Sequence, residues 1–227
     1  LARPREDSVV AGAPAGVRIA EITVAGEPAE WRRAGFHVDG DLMPARGATL
    51  RLAGATSGRR ITGWTLRGRV AAELDGLPTS VTTDPAQAPS PPVHPNGVLG
   101  VDHVVAFSPD LDRTVAALEA AGLDLRRVRE GPTPAGAMRQ AFFRLGDTIV
   151  EAVSGDAGTG LGADVAPATW FGLALDVTDL DATGALLGDG LGAVKEAVQE
   201  GRRIATLRHR MFAMSVAVAA MDDHADR

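Results

Sequence analysis

The chain has 227 residues, which at roughly 150 residues per domain amounts to about one and a half domains. Apolar residues make up 45% and charged residues 23%, which excludes a disordered chain, and the absence of cysteine excludes disulfide frameworks, thiol nucleophiles and thiolate metal sites. The net charge of −6 is the wrong sign for a dedicated nucleic-acid binder, and the densest basic stretch, Arg202 to Arg210, lacks interleaved base-stacking aromatics.

Tyrosine is absent, so no phenolic acid–base group is available, and lysine occurs once, at Lys195. No apolar run reaches the 18 or so residues of a membrane-spanning helix; the longest, Met211 to Met221, is interrupted by Ser215. The opening residues, LARPREDSVV, are charged and hold no signal-peptide core, so a cytoplasmic location is expected.

Residues 1–75 read as a strand (VRIAEITVA), a short helix (EPAEWRRAGF) and three further strands (LMPARGA, TLRLAG and RITGWTLRG). Residues 76–97, GLPTSVTTDPAQAPSPPVHPNG, hold Pro78, Pro85, Pro89, Pro91, Pro92 and Pro95 of the chain's 14 prolines. Such spacing forbids a helix and starves a sheet of donors, which predicts an extended connector.

In residues 98–154, GVDHVVAF reads as an apolar strand. Ser108-Pro109-Asp110 supplies helix-start chemistry, and Leu111, Val115 and Leu118 form an apolar stripe that stops at Gly122. Three strands follow, LDLRRVRE, AMRQAFFRL and DTIVEAV, the last two joined by a hairpin signal at Gly146-Asp147.

Residues 155–227 repeat the pattern after a loop rich in glycine and aspartate. PDLDRT at 109–114 matches TDLDAT at 178–183, an offset of 69 residues, and RQAFFR at 139–144 has its counterpart in RIATLR at 203–208. Met214 to Met221 supplies the final apolar strand. One supersecondary unit is therefore used more than once, and residues 1–75 read as a shortened further copy.

A strand–helix–three-strand unit in tandem, with a histidine on its first strand and a glutamate on its last, resembles the vicinal oxygen chelate superfamily. This group includes glyoxalase I, extradiol dioxygenases, bleomycin-resistance proteins and methylmalonyl-CoA epimerase. The phrases VDHVVAFSPDLDRTVAALEAAGL, MRQAFFRLGDTIVEAV and FGLALDVTDLDAT carry the resemblance. It implies an α+β glyoxalase-like fold, with tandem βαβββ modules forming cupped mixed β-sheets and helices packed outside. Fold alone does not dictate chemistry.

The resemblance also implies metal ligands on the first and fourth strands of both modules, where a divalent manganese, iron, nickel or zinc ion would chelate substrate oxygens. His103 and Glu151 stand at two of these positions and are the implied catalytic and metal-ligating pair. Adding 69 to His103 lands on Gly172, and the glutamate counterpart falls near Ala217 or Ala219, in a stretch (201–221) without any acid. In residues 1–75, Ile19 stands where the histidine would align, and RITGWTLRG has no acid. With two ligands of four, no resident metal is expected.

Other motifs weigh little. Gly158, Gly160 and Gly162 form a G-x-G-x-G run, but Pro167 and an apolar strand follow where a dinucleotide site needs a helix. His37, His94 and His224 lie in or near turns. Gln140, Phe142, Gln199 and Arg203 are candidates to line a substrate pocket, with Arg139 and Arg202 beside them; alternation allows only every second strand residue to face inward. The sequence reading is thus a small-molecule-binding protein like the bleomycin-resistance branch, taking a small carbonyl or carboxylate compound or an apolar metabolite. The alternative is a metal-dependent lyase, isomerase or dioxygenase using His103 and Glu151. A small-molecule partner is expected, with no nucleic acid or membrane. An unpaired first module would expose strand edges, which points to a homodimer.

Overall fold

The computed structural model describes residues 16–57, 60–70, 73–84, 92–133, 136–154 and 166–223. The Gly158–Gly162 run, Pro85, Pro89, Pro91, His224 and the opening ten residues lie outside these.

The middle module forms β6 (Val98–Phe107), α2 (Leu111–Ala120), β7 (Asp124–Thr133), β8 (Gly136–Leu145) and β9 (Thr148–Ser154). The next forms β10 (Thr169–Val177), α3 (Leu180–Leu187), β11 (Lys195–Glu196), β12 (Arg203–Leu207) and β13 (Ala217–Asp222). Each helix begins where an aspartate caps it: Asp110 accepts from the Arg113 amide, and Asp179 accepts from the amides of Asp181 and Ala182. In both modules the last strand lies parallel to the first, β9 against β6 and β13 against β10. Antiparallel pairing of β6 with β10 joins them into one eight-stranded sheet, in the order β11-β12-β13-β10-β6-β9-β8-β7.

Alternation sorts the two faces of this sheet. Val104, Ala106, Val150, Ala152, Ala141 and Phe143 are buried, whereas the intervening His103, Val105, Glu151 and Phe142 stay partly open. Leu118 of α2 belongs to the buried cluster, and truncating such a leucine to alanine costs about 2–5 kcal/mol.

The first segment differs from its sequence reading in one respect. Its elements are β1 (Arg18–Val24), α1 (Pro28–Arg33), β2 (Leu42–Ala45), β3 (Ala48–Leu52) and β4 (Ile61–Arg67). However, β4, read as the closing strand of a single module, pairs antiparallel with the opposite edge of β1, while β3 takes the parallel place. The connector also holds a strand, β5 (Thr79–Thr82), which runs parallel to β4. The resulting order, β2-β3-β1-β4-β5, reproduces the centre of the large sheet, where β9 and β6 face β10 and β13 in the same senses. Residues 18–82 thus hold the centres of two modules, the second reduced to two strands. Apolar alternation marks a strand but not the edge on which it pairs, which is why the sequence pattern missed this.

The rest of the connector is stitched down. Asn96 donates to the Ala34 carbonyl at 2.9 Å, and buried His94 accepts from the His37 amide at 3.0 Å while its Nε2 meets the Pro44 carbonyl at 2.9 Å. Between the sheets, Trp64 and Trp170 meet edge-on with centroids 4.7 Å apart. The β2–β3 turn reaches β6, where Arg46 exchanges backbone hydrogen bonds with Leu99 and Val101, both at 2.9 Å. One buried apolar cluster runs through both sheets. The apolar face of the small sheet is therefore covered within the chain, while β2 and β5 remain its edges.

Candidate functional site

His103 on β6 and Glu151 on β9 come together, with Nε2 and Oε2 3.5 Å apart. Register explains the meeting. β6 and β9 are parallel neighbours, with His103 opposite Ile149 and Val105 opposite Glu151, so the two side chains share a face one step apart. Gln140 on β8 faces the same way and donates from Nε2 to Glu151 Oε1 at 2.6 Å. Phe142, directly opposite Glu151 across β8–β9, walls the same face. Beside His103 lies a cavity of about 140 Å³, lined by Val105, Gly172, Ala174, Ala217 and Ala219 among others.

Two expected pocket residues lie elsewhere. Gln199 is exposed in the turn before β12, where its carbonyl accepts from the Arg202 amide at 3.2 Å. Arg203 points to the helix side and pairs with Asp181 on α3 at 3.0 Å and with Asp222 at 2.8 Å. The two hydrogen-bond sets fix its direction away from the cavity. Arg139 likewise turns to α2, pairing with Asp112 at 2.8 Å.

Sequence reading missed Asp102. In a regular strand, neighbours i and i+1 point to opposite faces, yet Asp102 Oδ2 lies 2.6 Å from His103 Nδ1. A β-bulge makes this contact possible. His103 pairs with Ala174 and Val101 with Leu175, which leaves Asp102 unopposed. Such bulges re-aim side chains. Asp102 Oδ1 also accepts from Arg202 Nη1 at 2.8 Å, Arg202 Nη2 donates to Asp176 at 2.7 Å, and Arg46 from the small sheet closes on Asp176 at 2.8 Å.

Burial works against the charge of Asp102, yet the His103 hydrogen bond and the Arg202 guanidinium hold its carboxyl well below the usual carboxylate range. Asp176 goes the other way. Burial and the neighbouring Asp102 push it up to about 6, against the pull of Arg46 and Arg202.

No protein-family model matches the sequence, and no curated protein sequence matches it significantly. Solved structures do match. A 4-hydroxymandelate synthase from Streptomyces coelicolor aligns over 95% of this chain and 94% of its own, with 14% identity and a TM-score of 0.62. The fold is that of the vicinal oxygen chelate superfamily. A homoprotocatechuate 2,3-dioxygenase from Brevibacterium fuscum aligns over 94% of this chain and 73% of its own, at 12% identity and TM-score 0.58. A Mn(II)-bound glyoxalase from Novosphingobium aromaticivorans gives 92% and 82%, at 14% identity and TM-score 0.55. Among the described residues, no helix is long and apolar enough to cross a membrane.

The vicinal oxygen chelate fold implies a metal, and the residues present do not fit one. The pseudo-twofold between β6 and β10 pairs His103 with Ala174 and Gly172 with Val105. Gly172 therefore holds the histidine position of the other half, and Ala219, opposite Ala174, holds the glutamate position. A Cβ on Gly172 would stand 2.5 Å from the Ala217 carbonyl oxygen, so β13 has closed over the place where a ligand side chain would begin. Among the described residues no group of three or more histidines and acids is arranged around a common centre. Of the two ligand-type residues on the other half, Glu151 already gives one oxygen to Gln140.

Proposed function

We propose that this chain is a small-molecule-binding protein on the vicinal oxygen chelate fold, whose ligand sits against His103, Glu151 and Gln140 without a resident transition metal. The ligand would be a small carbonyl compound or apolar metabolite, as expected for a cup whose other half is lined mostly by apolar residues, with Thr206 among them. The observation supporting this reading is the asymmetry of the cup. One half presents Glu151 with His103 and Gln140 both beside it, and the other presents Gly172 and Ala219 at the positions matching His103 and Glu151, with Ala174 and Ala217 next to them. A carboxylate ligand fits less well, because Glu151 would meet it charge to charge.

The test is elemental analysis of purified protein together with thermal melts in manganese, nickel, iron and zinc, for the native chain and for His103→Ala. A bound metal would raise stability by about 2.7 kcal/mol at a hundredfold excess over its dissociation constant. We expect far less than one equivalent of metal and no such rise. A stoichiometric metal, or a large melting shift lost in His103→Ala, would favour the second reading: a metal-dependent lyase, isomerase or dioxygenase in which His103 and Glu151 act as ligands. Their proximity is what keeps that reading alive.

A further inference from the structure

The chemistry of the ligand's polar end follows from the hydrogen-bond inventory around His103. Asp102 is an ionised, acceptor-only carboxylate with one oxygen on Arg202 and the other on His103 Nδ1. A ring carrying a single proton must therefore place it at Nδ1, which leaves a lone pair on Nε2. That lone pair faces Glu151 Oε2, another acceptor, at 3.5 Å. This exceeds the 2.7–3.2 Å of an N–H···O bond. The second Glu151 oxygen is occupied by Gln140. Two acceptors thus confront each other across a gap that neither can close. Beside the gap lies the cavity floored by Gly172, Ala217 and Ala219.

We infer that the site takes a hydroxyl-bearing compound, whose O–H enters between His103 Nε2 and Glu151 Oε2 while a small apolar body rests on the glycine and alanine floor. This deepens the proposed function and rests on it. Asp102 is a positioning residue: it never touches the ligand, but it fixes the tautomer that makes Nε2 an acceptor. The 140 Å³ cavity limits the apolar body to about one ring in size. The hydroxyl donates its one proton to one of the two acceptors, whereas an ether of the same shape has none to give and leaves both unsatisfied, which carries the larger share of discrimination in such sites.

Two variants separate this arrangement from simple packing. In Asp102→Asn, Arg202 holds the amide oxygen, so the amide NH2 turns to His103 Nδ1 and drives the ring proton to Nε2. The ring then donates to Glu151 and fills the gap itself. In Glu151→Gln the tautomer stays, but the new amide can donate to Nε2 and again fill the gap. Glu151 is partly open, so this second variant is expected to fold even where Asp102→Asn does not.

The experiment is nitrogen-15 NMR of the imidazoles in the full chain, free and titrated with benzyl alcohol, benzyl methyl ether and benzoate. The expected result is an Nδ1–H tautomer at His103 in the free protein. Benzyl alcohol should shift Nε2 saturably and bind about tenfold tighter than the ether or benzoate, with that preference lost in both variants. An Nε2–H tautomer, or a ring protonated at both nitrogens at neutral pH, overturns the inference. So does equal binding of alcohol and ether, which leaves the pocket reading standing. Failure of all three probes to perturb the cup, with the Nδ1–H tautomer present, counts against both the inference and the pocket reading.

Discussion

Asp102 and Phe171 stand 69 residues apart at equivalent places in the two halves of the large sheet, and each is the unopposed residue of a β-bulge. Asp102 is turned onto His103 and Arg202. Phe171 remains 47% exposed, with the Arg60 guanidinium 5.5 Å from its ring centre. The backbone device is present twice and its chemistry once. The same holds one residue later, where His103 on one half corresponds to Gly172 on the other.

Gly172→Ala should destabilise the fold, because the added carbon meets the Ala217 carbonyl oxygen at 2.5 Å and two paired central strands must separate to admit it. Overpacking of this kind costs about 1–3 kcal/mol. Urea denaturation measures it. An unchanged midpoint would show that β13 yields freely, and that a ligand side chain at this position was never barred by space.

Arg202→Met should cost more. Arg202 is buried and holds both Asp102 and Asp176, each of which is buried as well. Removing one partner of such a cluster leaves carboxylates uncompensated, a loss of about 3–5 kcal/mol. Chemical denaturation at neutral pH gives the number, and a loss below about 1 kcal/mol would mean that water or Arg46 replaces the lost cation.

Stability should also depend on pH in a defined sense. Asp176 titrates at about 6 in the folded chain against 3.8 ordinarily, so the folded state binds this proton more readily than the unfolded one. Its contribution is most favourable below pH 3.8 and is lost as pH rises through about 6. Asp102 runs in the opposite sense. Its folded value is depressed, so its stabilisation is complete above the ordinary 3.8 and fades only in stronger acid. Between these limits Asp176 is the changing member of the pair. Unfolding free energies measured from about pH 4 to 7 should carry a declining component that disappears in Asp176→Asn. An identical slope in the variant would rule the assignment out.

Gly47→Ala should loosen the contact between the two sheets. Gly47 has φ +88°, a left-handed conformation that side chains rarely adopt, and its missing Cβ would collide with the Thr148 hydroxyl. Thr148 is itself buried and donates to the Val101 carbonyl at 3.1 Å. Hydrogen exchange of the Val101 amide, which bonds to the Arg46 carbonyl, should therefore speed up in the variant. Unchanged protection would show that the turn is not what holds that edge of β6.

Much of the architecture was legible in the residues themselves. The apolar strands in VDHVVAF and TIVEAV, the helix start at Ser108-Pro109-Asp110 and the 69-residue repeat all act locally, and local signals survive in a linear string. The meeting of His103 with Glu151 was implied by the resemblance, which sets the first and last strands side by side, and the parallel pairing of β6 with β9 brings their equal faces together. Gln140 and Phe142 lie beside Glu151 by the same alternation. Gln199 and Arg203 do not, because a turn and two competing aspartates decide where they point.

Residue pattern and the 69-residue repeat by themselves determined the order of elements in the two modules and the bare position at Gly172, while the fold class and the pairing of His103 with Glu151 were implied by the resemblance those elements carry. Tertiary structure alone decided three things: that β4 pairs on the far edge of β1, that β13 closes over Gly172, and that Asp102 turns onto His103. Each depends on strand register, and register is set by contacts between residues distant in sequence. A single unopposed residue reverses which face a side chain takes. No pattern read along one strand contains that information, because the bulge at Asp102 exists only against β10.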